Sequence, residues 1–192
     1  MTFQIETRTG GHLLRDQIWL PYRREDVFAF FADAHNLERL TPPWLNFRIL
    51  SSLDEGIREG SLIDYKLRLR GVPIRWQTEI SVWEPSSRFV DEMRRGPYRE
   101  WIHEHRFEER DDGTLMTDEV RYAVPGGGLV HRLLVRPDLE RIFRYRREQL
   151  QLALREKFAT VALSHADARR GWQNQPHAPL WPAKSRVRGE SE

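Results

Sequence analysis

The sequence predicts an α+β fold: a curved antiparallel sheet of about seven strands, with two short helices, wrapped around one long C-terminal helix. Three observations predict it. Between Trp44 and Val124, apolar and polar residues alternate, and turn residues recur at the intervals of a meander. From Leu139 to Val161, apolar residues recur at three- and four-residue steps. After an alternating first strand, Val27, Phe28, Phe30, Phe31 and Ala34 form a short helical stripe.

The elements follow in chain order. His12 to Leu20 alternates and ends at Pro21, so it reads as the first strand; residues 1–11 read as an N-terminal extension in which Phe3 to Arg8 could add a strand. Asn36 to Leu40 makes the second short helix, stopped by Pro42-Pro43. Leu45, Phe47 and Ile49 share one face of the next strand. Ile63, Tyr65, Leu67 and Leu69 do the same, and after Arg70-Gly71 so do Ile74, Trp76, Thr78, Ile80 and Val82. A two-residue turn there pairs Leu69 with Val72 and makes the two apolar faces coincide.

In the second hairpin, Asp112-Gly113 is a favoured type I′ pair. Taken as the loop, it sets Phe107 opposite Asp118, His105 opposite Val120, His103 opposite Tyr122 and Trp101 opposite Val124. A slip of one residue would turn the apolar set to the wrong face. Beyond Gly126 to Gly128, Leu129 to Val135 reads as a short helical segment before Pro137. Leu139 to Val161 then makes an amphipathic helix of about six or seven turns. Residues 12–162 make the domain, and residues 163–192 read as a tail with little structure of its own, in which Trp172 and Trp181 stand out.

Composition narrows the function. The chain has no cysteine, which excludes disulfides, thiolate metal sites and thiol nucleophiles and suits a cytoplasmic setting. No run approaches a membrane-spanning length, and the N-terminus lacks the pattern of a signal peptide. All but three of the 31 basic residues are arginines (the lysines are Lys66, Lys157 and Lys184), but 29 acidic residues are scattered among them. With a net charge of only +2 and no single-sign block, nucleic acid is not an expected partner. Arg141, Arg144, Arg147 and Arg155 share their helix with Glu140, Glu148 and Glu156 and read as a solvated face. Gly126 to Gly128 lacks the Lys-Ser/Thr of a phosphate loop, and no Gly-x-Ser-x-Gly elbow supports a serine nucleophile.

Three runs carry a family resemblance: NLERLTPPWLNFRIL (Asn36 to Leu50), IDYKLRLRGVPIRWQTEI (Ile63 to Ile80) and GPYREWIHEHRFEERDDGTLMTDEVRYAVPGG (Gly96 to Gly127). They resemble a bacterial, polyketide cyclase/dehydrase-like branch of the SRPBCC superfamily, which also includes START lipid-transfer domains and the birch-pollen allergen. The resemblance covers roughly residues 12 to 162 and implies a helix-grip fold that holds an apolar or amphipathic molecule such as a lipid, quinone or polyketide. No cofactor is expected.

A strongly curved sheet touches a straight helix along only part of its length, so a cavity is expected between them. Tyr65, Trp76, Ile80 and Phe89, with Met93, Trp101, Val120 and Tyr122, are expected as its walls. His103 and His105 lie two apart on one strand and point to one side, with Asp91 and Asp118 as polar companions. Three chemistries compete for this group. It could be a satisfied polar network that orients a ligand. It could be an acid/base pair of a cyclase, dehydratase or isomerase, with His103, His105 and Asp118 as candidates. It could be a metal site of two imidazoles with Asp118 or Asp91. Only the two histidines can be named as ligands from sequence, so no metal is expected. A protein partner engaged through the tail is a further alternative.

Overall fold

A computed structural model describes residues 2–33, 35–53 and 56–173, with side chains through 159. Eight antiparallel strands form one sheet: β1 (Thr2–Arg8), β2 (Gly11–Leu20), β3 (Arg48–Ile49), β4 (Leu62–Leu69), β5 (Val72–Glu84), β6 (Arg88–Arg95), β7 (Glu100–Arg110) and β8 (Gly113–Ala123). Their spatial order is β1-β2-β8-β7-β6-β5-β4-β3. Helices α1 (Arg24–Ala32) and α2 (His35–Leu40) and a 3-10 turn (Pro43–Leu45) connect β2 to β3. After β8, α3 (Gly127–Val130) and a π turn (His131–Val135) lead into α4 (Arg136–Gln173). Residues 1–155 form one compact unit that carries the whole sheet.

The alternating pattern explains the core. On β4, Ile63 and Leu67 are buried; on β5, Trp76, Thr78 and Ile80; on β7, His103, His105 and Phe107. Leu139, Phe143, Leu150, Ala153 and Leu154 are the buried stripe of α4. The first hairpin has the predicted register, with Leu69 opposite Val72, Leu67 opposite Ile74 and Tyr65 opposite Trp76. Arg70 and Gly71 both take positive φ, as a type I′ turn requires.

The second hairpin departs from the prediction by two residues. His105 faces Asp118, His103 faces Val120, Phe107 faces Met116 and Trp101 faces Tyr122. The positive-φ loop residues are Asp111 (φ 49) and Asp112 (φ 57), both of a type that tolerates the left-handed region. Gly113 is instead the first residue of β8, where a Cβ would lie 2.5 Å from the Leu20 carbonyl oxygen and 2.8 Å from the Trp19 ring. Glycine is needed there for close approach to β2. A two-residue shift keeps every side chain on its face, so the alternation alone could not distinguish the registers.

Other departures have local causes. Thr2–Arg8, set apart in the sequence as an extension, pairs along its length with β2 and is an edge strand. Leu45 lies in the 3-10 turn after the two prolines, and Asn46 takes φ 46, so β3 shrinks to Arg48–Ile49. No break separates Leu129 to Val135 from α4; a π turn carries the chain into Pro137, which cannot donate a helical hydrogen bond. The α4 backbone runs past Ser164 to Gln173. Ala34, the side chains of Val161 and Trp172, and the tail from Asn174, including Trp181, lie outside the described residues.

Candidate functional site

Between the sheet and α4 lies a cavity of about 200 Å³. From the sheet come Ile63, Tyr65 and Leu67 of β4, Trp76, Thr78 and Ile80 of β5, Phe89 and Asp91 of β6, and Trp101, His103 and His105 of β7. Helix α4 contributes Leu139, Ile142, Phe143 and Arg146, while Phe31 and Leu40 close it from the short helices. The aromatic walls are interlocked. Trp76 meets Trp101 edge-on at 5.4 Å and stacks with Tyr65 at 6.0 Å, while Phe89 stacks on the His105 ring at 4.2 Å.

Cross-strand pairing builds the polar part. Asp91 sits opposite His103, and His105 sits opposite Asp118, so β6, β7 and β8 bring two carboxylates and two imidazoles together on the inner face. The Asp91 Oδ2 is 3.5 Å from His103 Nδ1 and accepts a hydrogen bond from His105 Nε2 at 3.1 Å. On the other side, Asp118 Oδ1 is 3.3 Å from His103 Nε2 and 2.5 Å from His105 Nδ1. The four groups alternate acid and imidazole. Arg146 adds a guanidinium 3.5 Å from Asp118 Oδ2, with its carbon 5.6 Å from the centre of the Phe31 ring.

Beneath this ring, Asp16 of β2 lies directly opposite Asp118. Two buried carboxylates so placed would repel, and successive arginines of α4 separate them: Arg147 pairs with Asp16 and Arg146 with Asp118. Burial raises the Asp16 carboxyl above its ordinary value despite Arg147.

Electroneutrality sets the charge of the ring. Two carboxylates and one guanidinium leave one negative charge, which a single imidazolium neutralises. Burial works against charge on His105, but Asp118 and Asp91 outweigh it and raise its pKa. Burial and the neighbouring His105 lower that of His103. Burial opposes ionisation of Asp118, yet His105 and Arg146 hold it well below the usual carboxylate range; Asp91 is likewise lowered by His103 and His105. The surroundings therefore favour the charged form on His105 over His103.

Of the residues expected at the site, Tyr65, Trp76, Ile80, Phe89, Asp91, Trp101, His103 and His105 line the cavity. Met93, Asp118, Val120 and Tyr122 do not. Met93 packs against the Leu45, Leu67 and Trp76 cluster. Val120 and Tyr122 are sealed under Leu139 and Phe143, and Asp118 stands behind the histidines. Arg146 and Phe31 were not anticipated from sequence. The signal for Arg146 was an arginine at the helical spacing of Leu139, Ile142, Phe143 and Leu150, inside the apolar stripe. Phe31 was assigned only to a core stripe.

The profile of a family described as polyketide cyclase / dehydrase and lipid transport matches residues 20–151. The chain belongs to this family. Among solved structures, protein Ms6760 from Mycobacterium smegmatis is 16% identical, covers 80% of this chain and 98% of its own, and has a TM-score of 0.60. A START superfamily protein from the same organism is 14% identical, with coverage of 76% and 99% and a TM-score of 0.54. A nucleoside-diphosphate sugar epimerase from Corynebacterium glutamicum is 25% identical over 74% of this chain but only 29% of its own, with a TM-score of 0.53. No curated protein matches. This member of the polyketide cyclase/dehydrase and lipid transport family has the helix-grip fold. Among its described residues, no helix is long and apolar enough to cross a membrane.

Proposed function

We propose that this protein binds a compact, largely apolar molecule with one polar end, held between the sheet and α4 with that end against Asp91, His103, His105 and Arg146. One observation carries the proposal: a cavity of about 200 Å³ with aromatic and aliphatic walls and a single buried polar cluster. Size narrows the ligand. A dry cavity of about 150 Å³ accommodates a benzene-sized guest, and drug-sized ligands occupy about 300–1,000 Å³. The space suits one ring system with short substituents, such as a quinone head or a small polyketide-like ring, better than a long-chain lipid.

Gentle purification followed by native mass spectrometry and organic extraction tests this. A bound ring compound is the expected result. An empty protein that binds nothing across a panel of small phenols, quinones and lipids would sink the proposal and leave the partner-docking role of residues 163–192 as the better account. In this reading the protein works in the cytoplasm, which fractionation of cells would check.

A second reading has one observation in its favour: His103 and His105 stand side by side at the cavity wall with ring centres 3.8 Å apart, in surroundings that favour charge on His105 and disfavour it on His103. Such a pair supplies both a base and an acid to a bound carbonyl compound, as a cyclase, dehydratase or isomerase needs. Turnover of the extracted ligand by the purified protein, lost in His103→Ala, separates this reading from simple carriage.

A further inference from the structure

We infer that Asp91, His103 and His105 form a binding site for one first-row divalent metal ion, backed by Asp118. The inference stands on the geometry of the cluster, whatever occupies the cavity. An imidazole and a carboxylate bound to one such ion at about 2.0–2.2 Å each lie about 3.0–3.5 Å apart. Asp91 Oδ2 stands 3.5 Å from His103 Nδ1 and 3.1 Å from His105 Nε2, and all three donor atoms fall within 4.8 Å of one another. Of the two carboxylates that the sequence offered as a third ligand, the one on β6, Asp91, is thus the one placed for it.

The opposite edges of the imidazoles give an independent indication. His103 Nε2, His105 Nδ1 and Asp118 Oδ1 are buried and form no hydrogen bond of good geometry, yet both nitrogens lie within 3.3 Å of that one oxygen. In metal-bound histidines the ring nitrogen away from the ion donates to a carboxylate or carbonyl, which fixes the tautomer and makes the ligand more basic. Asp118 Oδ1 lies close enough to both rings to take this role when they turn to hold an ion, and Arg146 balances its charge.

The donor set names the class. Two imidazoles and one carboxylate, with positions open toward a cavity, suit Zn²⁺, Co²⁺, Mn²⁺ or Fe²⁺ rather than soft ions, which want sulfur, or Ca²⁺, which wants oxygen alone. A dication between two neutral imidazoles also replaces the imidazolium. With Asp91, Asp118 and Arg146 it leaves one excess positive charge, which an anionic oxygen in the cavity would neutralise.

The test uses the full chain, stripped with chelator and then titrated with Co²⁺ and Zn²⁺. Metal retained after desalting is counted by elemental analysis, and the cobalt d–d absorption is recorded in parallel. One retained equivalent per chain with cobalt d–d bands is expected. Asp91→Asn and His105→Gln should abolish retention, Asp118→Asn should weaken affinity by about 10–100-fold, and the surface control His35→Ala should behave as wild type. Circular dichroism verifies that each variant is folded. Failure of folded wild-type protein to retain metal, or retention unchanged in both Asp91→Asn and His105→Gln, overturns the site. Binding of 2-naphthol by the same stripped sample reads the cavity separately. Naphthol bound without metal retention removes only the metal site; metal retained without naphthol binding supports the metal site and counts against the ligand proposal.

Discussion

Two pairs of histidines lie ring against ring in this protein and have opposite electrostatic fates. His103 and His105 have ring centres 3.8 Å apart and stand between Asp91 and Asp118. His12 and His131 stack at 3.4 Å, but their polar partners are neutral: Thr7 for His12, and the Tyr122 hydroxyl at 2.9 Å for His131 Nε2. In the first pair the charged form of His105 is favoured because two carboxylates outweigh burial. In the second, burial lowers both residues, and His12 and Arg136 further disfavour charge on His131. Pairing alone does not determine charge; the neighbours across the strands do.

The largest expected effect comes from removing a carboxylate of the first pair. Asp118→Ala should destabilise the fold by about 3–5 kcal/mol, because Arg146 would lose the carboxylate it faces and His105 one of its two, leaving Asp91 alone to balance both. Chemical denaturation measures this. A loss below about 1 kcal/mol would show that the cluster carries no buried charge.

Next in size is the contrast in ligand binding. His103→Ala should weaken binding of the native ligand or of 2-naphthol by about 1–3 kcal/mol, the cost of leaving a buried polar partner unsatisfied, while His131→Gln should leave affinity unchanged. Titration calorimetry on both variants reads the difference. Equal weakening in the two would erase the distinction between the pairs.

A smaller effect belongs to the second pair. Tyr122→Phe deletes the hydrogen bond to His131 and should cost about 1 kcal/mol in unfolding free energy, with ligand affinity intact. A loss as large as that of Asp118→Ala would place Tyr122 in the same network.

The smallest is a pH effect. A histidine whose folded pKa lies below the unfolded value of about 6.5 stabilises the fold fully above that value, and the contribution is lost as pH falls toward the folded pKa. His12 and His131 are both lowered. His105, whose pKa is raised, acts in the opposite sense in both proteins, so the melting temperature should change less favourably from pH 7.5 to 5.5 in the wild type than in His131→Gln. An equal or less favourable change in the variant would refute the assignment.

Legibility differed between these regions for a physical reason. Alternation on β7 was enough to put Trp101, His103, His105 and Phe107 on one inner face, because side chains on a strand repeat every two residues whatever the strand pairs with. Which residue stands opposite each was not legible. Asp112-Gly113 is a favoured turn by local chemistry, yet contact with Leu20 and Trp19, far away in sequence, claims Gly113 for the strand. That two-residue shift moves Asp118 from opposite Phe107 to opposite His105, and with it the electrostatics of the site.

By itself the sequence determined the fold class, the inner faces of the strands except at the end of β5, where a bulge after Ile80 turns Trp83 rather than Val82 toward Phe28 and Phe89, the first hairpin, the apolar stripe of α4 and the eight residues that line both the expected and the observed cavity. These follow from local periodicity and turn chemistry, which involve residues near one another in the chain. Tertiary structure decided the rest. It sealed Val120 and Tyr122 under α4, set Asp118 behind the histidines, turned Arg146 inward and fitted Arg147 to Asp16. Each of these depends on how α4 docks on the sheet or on which residues oppose one another across strands, and a buried charge is tolerable only where distant parts of the chain supply its partner.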